Sequence, residues 1–171
     1  MTHPLVLGLF DDAATAARGA RAVRDLGLPR ERVSIVARSH DEEGAVAKAS
    51  GGSPGTEIED SQAASRLGEL SGHFLAAIAL VMPGIGPIVA DGPLAAGLGE
   101  AAGHLAGGIA KMLARAGLPH DEAAAWEAHI EDGAFLLGAH TDAGGVARVR
   151  AALEHNGATK VAVGTWSELN E

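Results

Sequence analysis

The sequence predicts an α+β fold in which two βαβ units share one antiparallel sheet, and three observations carry that reading. Short apolar runs alternate with alanine-rich segments of helical period near both ends of the chain. The two ends also repeat one another at a constant offset, with "LLGAHTDA" (136–143) lying over "VLGLFDDA" (6–13). Each apolar run ends in an Asp and each helical segment in a Gly, the expected start and stop signals of a helix.

In the first unit, residues 1–40, "LVLGLF" (5–10) reads as a strand, and Asp11-Asp12 after it form an N-cap pair. Ala13, Ala16, Ala17, Ala20, Val23 and Leu26 then recur on one helical face, with Arg18, Arg21 and Arg24 on another. Gly27 stops the helix, Pro29 enforces the break, and the β-branched "VSIVA" (33–37) reads as the second strand.

The closing segment aligns with the opening one without a gap: Leu7 with Leu137, Gly8 with Gly138, Asp12 with Asp142, Arg18 with Arg148 and Gly27 with Gly157. "TKVAVG" supplies its last strand. Two such units sharing a sheet make a ferredoxin-like βαβ + βαβ sandwich, with both helices on one face. The second face then needs a cover, for which the intervening chain and a second copy are the candidates.

Between the units lie three pieces. Residues 41–61 are acidic and Gly/Ser-rich and read as a linker. Residues 62–117 form a Gly/Ala-rich insertion, read as a helical hairpin with helices at 62–82 and 93–116 and "PGIGPIVADGP" as its turn. Residues 118–171 comprise an amphipathic helix, the second unit and a tail. That helix has Pro119 in its first turn, Asp121 and Glu122 at the positive end of its dipole, a buried stripe of Ala123, Trp126 and Ile130, and Gly133 as its stop.

In the hairpin, Gly99, Gly103 and Gly107 recur every fourth residue and present a smooth groove, with Gly68 and Gly72 as a matching surface. A mid-helix glycine costs about 1 kcal/mol against alanine, so close helix contact must offset it. This glycine-zipper pattern is the expected contact for self-assembly into a homo-oligomer.

Composition excludes several functions. A net charge of −9 with no basic run argues against nucleic acid as a partner. Cysteine is absent, so disulfides, thiolate catalysis and Cys-based metal sites are ruled out. The N-terminus "MTHPLVLGLFDD" has no basic region and too short an apolar run for a signal peptide, which points to a cytoplasmic protein. The uncharged stretch from Gly72 to Ala90 is broken by "PGIGP" before it could cross a bilayer, which leaves peripheral membrane contact as the only membrane reading. The same motif has Val89 where a dinucleotide fingerprint has its third glycine, and no Lys-Ser/Thr follows as in a P-loop.

Catalytic patterns are equally thin, and the expectation is that the chain is not an enzyme. Ser34, Ser39, Ser71 and Ser167 lie in no nucleophile-elbow context, and Asp11-Asp12 are better placed to cap a helix than to act as paired acid and base. Among the eight histidines, Glu69/His73 and Glu100/His104 each place a carboxylate and an imidazole one helical turn apart. The two pairs lie at similar distances from Pro87, so an antiparallel hairpin would bring them together as a site for a divalent transition metal (zinc, iron or copper). Two ordinary surface pairs are the competing account. His140, in the place of Phe10 in the repeat, reads as a buried, hydrogen-bonded imidazole, whereas His3, His40 and His155 read as surface residues.

Three stretches together resemble the bacterial heat-induced or general stress protein family: "GLFDDAATAARGARAVRDLGLPRERVSIVAR", "PGIGPIVADGPLAAGL" and "GLPHDEAAAWEAHIEDGAFLLGAHTD". The resemblance implies a stress-associated protein without an assigned catalytic activity, and it carries no catalytic residues across. The sequence reading is thus a non-catalytic, self-assembling stress protein. The alternatives are a metal-binding module on the hairpin and a small-molecule sensor.

Overall fold

The computed structural model of the chain describes residues 2–29, 32–38, 78–82, 86–91, 93–94 and 108–167. In chain order the elements are β1 (Thr2–Phe10), α1 (Ala13–Asp25), β2 (Val33–Arg38), β3 (Ile78–Met82), β4 (Gly86–Asp91), α2 (Gly108–Arg115), α3 (His120–Glu131), β5 (Phe135–His140), α4 (Val146–His155) and β6 (Lys160–Ser167). The architecture is mixed α+β. The strands form one sheet in the order β3-β4-β2-β5-β1-β6, and every neighbouring pair is antiparallel.

Alternation along β1 assigns its side chains to two cores. Leu5, Leu7 and Leu9 join Val36 and Leu136 on one face, and Ile109, Met112, Leu113, Trp126 and Ile130 of α2 and α3 pack over them. Val6 and Phe10 join Val33, Ile35, Leu137 and Ala139 on the other face, beneath Ala16, Ala20 and Val23 of α1 and Val149 and Leu153 of α4. Burial on both sides explains why Leu5 to Phe10 is a continuous apolar run instead of an alternating one. At about 25 cal/mol per Å² of apolar area, each fully buried Leu or Val contributes roughly 1.5–3 kcal/mol.

Helix ends follow the expected chemistry. Asp12 accepts a 2.8 Å hydrogen bond from the Thr15 N–H, which caps α1, and Gly27 closes that helix at φ +92°. Asp142 accepts a 2.7 Å bond from the Gly145 N–H at the start of α4, and Gly157 closes it at φ +97°. Only glycine adopts such a φ without strain. In the β1–β5 ladder Leu7 lies opposite Gly138 and Gly8 opposite Leu137. Positions equivalent in the repeat therefore exchange places across that ladder. The amphipathic helix is α3: Asp121 and Glu122 occupy its first turn, and Ala123, Trp126 and Ile130 are buried. Pro119 sits at its N-cap. Leu26, expected on the buried face of α1, is 36% exposed because the helix ends at Asp25.

One expectation is corrected. Residues 78–82 and 86–91 form a β-hairpin instead of the end of a helix and its turn: Ile78 pairs with Ala90 and Met82 with Gly86. The apolar run there has no period to distinguish helix from strand, and Ile78, Val81, Ile88 and Val89 are β-branched. β2 also presents a free edge to β4, with Ile35 opposite Asp91 and Arg38 opposite Ile88, and strand pairing satisfies backbone groups on both. Pro87 pairs only with Val81 of β3 and lies beyond the last β2 partner, so its missing N–H costs no bond to β2.

The second sheet face, which needs a cover, takes it from the chain itself: α2, part of the insertion, and α3 pack over it. Two backbone-directed contacts hold α2 in place. Glu127 of α3 accepts a 2.7 Å hydrogen bond from the Ala110 N–H in the first turn of α2, a carboxylate at the positive end of that helix. Beyond its other end, the Ala116 carbonyl accepts a 2.8 Å bond from the Thr165 N–H of β6. A methyl group at Gly164 would overlap that carbonyl, so this approach requires glycine.

Candidate functional sites

His140 ends β5, is 1% exposed, and lies opposite Leu5 in the β1 ladder. That register brings His3 alongside: His3 Nε2 and His140 Nδ1 are 2.8 Å apart. On the opposite side of the ring, Nε2 lies 3.3 Å from Ser34 Oγ of β2. Ser34 Oγ accepts the Leu94 N–H at 3.1 Å and keeps its own hydrogen to give to His140 Nε2 when Nδ1 carries the ring proton. In that tautomer Nδ1 donates to His3, and in the other the two bonds reverse. Trp166 of β6 meets the imidazole edge-to-face with centroids 5.7 Å apart.

Burial is the main cause that pushes the His140 pKa down to about 3, with smaller contributions from His3 and Arg32. The ring is therefore neutral near pH 7, with both nitrogens engaged. Ser34 is 0% exposed. This cluster joins β1, β2, β5, β6 and Leu94 as a polar anchor in the core. The expectation of a buried, bonded His140 agrees with this geometry. The reading of His3 as a surface residue is corrected: it is half-buried and bonded to His140, through a strand register that local sequence does not display.

Beside His140 lies a cleft of about 340 Å³, between the α1–β2 connection and the β5–α4 connection. Arg32, Thr141, Asp142 and Arg148 line its polar part, and Leu26, Leu28, Pro29 and Val149 its apolar part. Thr141 donates its N–H to the Pro4 carbonyl at 3.0 Å and is only 5% exposed. Its hydroxyl has no hydrogen-bond partner among the described residues. Gly145 makes room for that hydroxyl, since a methyl group there would overlap Thr141 Oγ1. Among the described residues neither Arg32 nor Arg148 is ion-paired.

The two sheet edges differ. β6 carries Lys160, and its Thr165 N–H is taken by Ala116. β3, "IALVM", has no charged residue, and among the described residues only β4 pairs with it. A short apolar edge with free backbone donors and acceptors is a template for adding another strand.

Gly68, Gly72, Gly99, Gly103 and Gly107 lie outside the described residues, as do Glu69, His73, Glu100, His104 and His40. Among the described residues, no group of three or more His, Asp or Glu side chains could hold a metal ion, and no helix is long and apolar enough to cross a membrane. His120, His129 and His155 are exposed. Comparison with family models, curated proteins and solved structures finds no match to this chain.

Proposed function

We propose that this chain is a non-catalytic, stress-associated cytoplasmic protein that self-assembles through its insertion, built on a ferredoxin-like duplication. Support for the duplication comes from the constant offset between the two ends, along which the Asp bonds that precede α1 and α4 and the glycines that end them correspond. The strand order β2-β5-β1-β6, with α1 and α4 on one face, is the arrangement that two βαβ halves require. The stress association rests on the resemblance of the three quoted stretches.

The observation that carries self-assembly is the uncharged edge strand β3, which belongs to the insertion. A second copy of β3, laid antiparallel, offers the same row of donors and acceptors and makes an isologous two-fold interface. Gly99, Gly103 and Gly107, in the same insertion, supply a second contact of the close-packed helical kind. Leu80→Lys, in the middle of β3, adds a charge to the edge and is expected to reduce the mass of the assembly. Ala79→Lys, one position earlier in the strand, repeats the test should the first variant disturb the core. An unchanged mass in both folded variants rejects the edge interface.

A metal-binding module remains the second reading, supported by the two equally spaced Glu/His pairs, Glu69/His73 and Glu100/His104.

A further inference from the structure

We infer that the cleft between the α1–β2 and β5–α4 connections binds a small organic anion, with Thr141 as a fixed donor and Arg32 and Arg148 as its cationic walls. Four features lead there. Thr141 is more than nine-tenths buried as a residue and lines the cleft, and its hydroxyl has no partner among the described residues. The oxygen itself opens onto the cleft, where an acceptor on a ligand can reach it. Gly145 holds open the space for that hydroxyl against the first turn of α4, whose N-terminus favours negative charge.

The two arginines stand on different connections, Arg32 before β2 and Arg148 on α4, and neither is ion-paired among the described residues. In a chain of net charge −9, two unmatched guanidinium groups at one cleft are a local reversal of sign, and their planar forks suit the oxygens of a carboxylate or phosphate. Asp142 is the opposing carboxylate. Its Oδ1 is already held by the Gly145 N–H at 2.7 Å. His140 forms an uncharged wall because its ring nitrogens face His3 and Ser34.

The ligand's body follows from the rest of the lining. Leu26, Leu28, Pro29 and Val149 continue the cleft away from the polar end, and about 340 Å³ accommodates a ring-sized apolar group beside an oxyanion head. The cleft draws on both halves of the chain, so occupancy ties the α1–β2 connection to α4.

The test is a titration of the full chain, followed by the backbone amide resonances of residues 141–148, with phenyl phosphate, benzoate and inorganic phosphate as probes. Phenyl phosphate or benzoate is expected to shift these resonances saturably, and the tighter of the two names the head group. Inorganic phosphate is expected to bind about ten-fold more weakly than phenyl phosphate for want of the apolar contact, a difference of about 1.4 kcal/mol. Arg32→Ala and Arg148→Ala should each weaken binding by about five-fold or more, and Thr141→Val, which keeps the shape, by a similar factor. Arg150→Ala, on the same helix but outside the cleft and paired to Glu154 at 2.9 Å, should leave it unchanged. The inference is overturned if neither organic probe gives a saturable shift, or if Arg150→Ala weakens binding as much as Arg148→Ala. It is overturned equally if inorganic phosphate binds as tightly as phenyl phosphate, or if Thr141→Val binds like the parent chain.

Discussion

Asp12 and Asp142, equivalent positions in the two ends of the chain, make the same bond: each accepts the backbone N–H three residues ahead of it, at 2.8 Å for Thr15 and 2.7 Å for Gly145. At Asp12 that bond caps α1, whereas at Asp142 it closes the turn that ends at Gly145, the residue before α4. Asp12→Ala leaves the Thr15 N–H in the first turn of α1 without its side-chain acceptor, whereas in Asp142→Ala the Gly145 N–H keeps the Asp142 carbonyl at 3.1 Å. Asp12→Ala is expected to lower the melting temperature by about 2–4 °C, the size of one lost cap in a chain of this length, and Asp142→Ala by less. The sites share no partner, so the double variant should show the sum. Thermal melts followed by circular dichroism check both statements.

His140 makes stability depend on pH. Its pKa falls from 6.5 in the unfolded chain to about 3 in the folded one, so the unfolded state binds the extra proton between those values. The stabilisation is therefore complete above pH 6.5 and is lost as the pH falls toward 3. At pH 5.5 the loss from this residue is about 1.4 kcal/mol relative to pH 7.5. In urea unfolding at both values, His140→Asn should lower stability at pH 7.5 and flatten the pH dependence. An equally steep dependence in the variant would assign it to other groups.

Gly164 governs how closely the end of α2 approaches β6, because a methyl group there would strike the Ala116 carbonyl. Gly164→Ala should cost about 1–3 kcal/mol as overpacking and break the Thr165–Ala116 hydrogen bond. The Thr165 amide then exchanges with solvent faster than its neighbours in β6. Protection equal to that of the parent would contradict this account of the contact.

The metal-binding reading predicts a near-stoichiometric transition metal in untagged protein, removed by EDTA and absent from the His73→Ala/His104→Ala variant. Elemental analysis after supplying zinc, copper and iron decides it, and a metal-free parent chain would reject it.

Much of the architecture could be read from local pattern. The caps, the glycine stops and the buried stripe of α3 depend on residues close in sequence, and Asp12, Gly27, Trp126 and Gly133 announced them. β3 and β4 were hidden because their uninterrupted apolar composition suits a buried helix as well as a strand, and only the free edge of β2 decides between them. The cover on the second sheet face was hidden for a related reason: a helix pattern shows that Trp126 is buried, not against which face. The His3–His140 bond joins opposite ends of the chain through a strand register, and the cleft is assembled from two connections. Neither leaves a trace in local spacing.

Self-assembly through the insertion is the central claim, and light scattering coupled to gel filtration of the full chain tests it most directly. Wild-type protein is expected to elute with at least twice the mass of one chain, while Leu80→Lys and Gly103→Leu, folded by circular dichroism, shift toward the mass of one. A wild-type protein with the mass of a single chain across the accessible concentration range would contradict the claim.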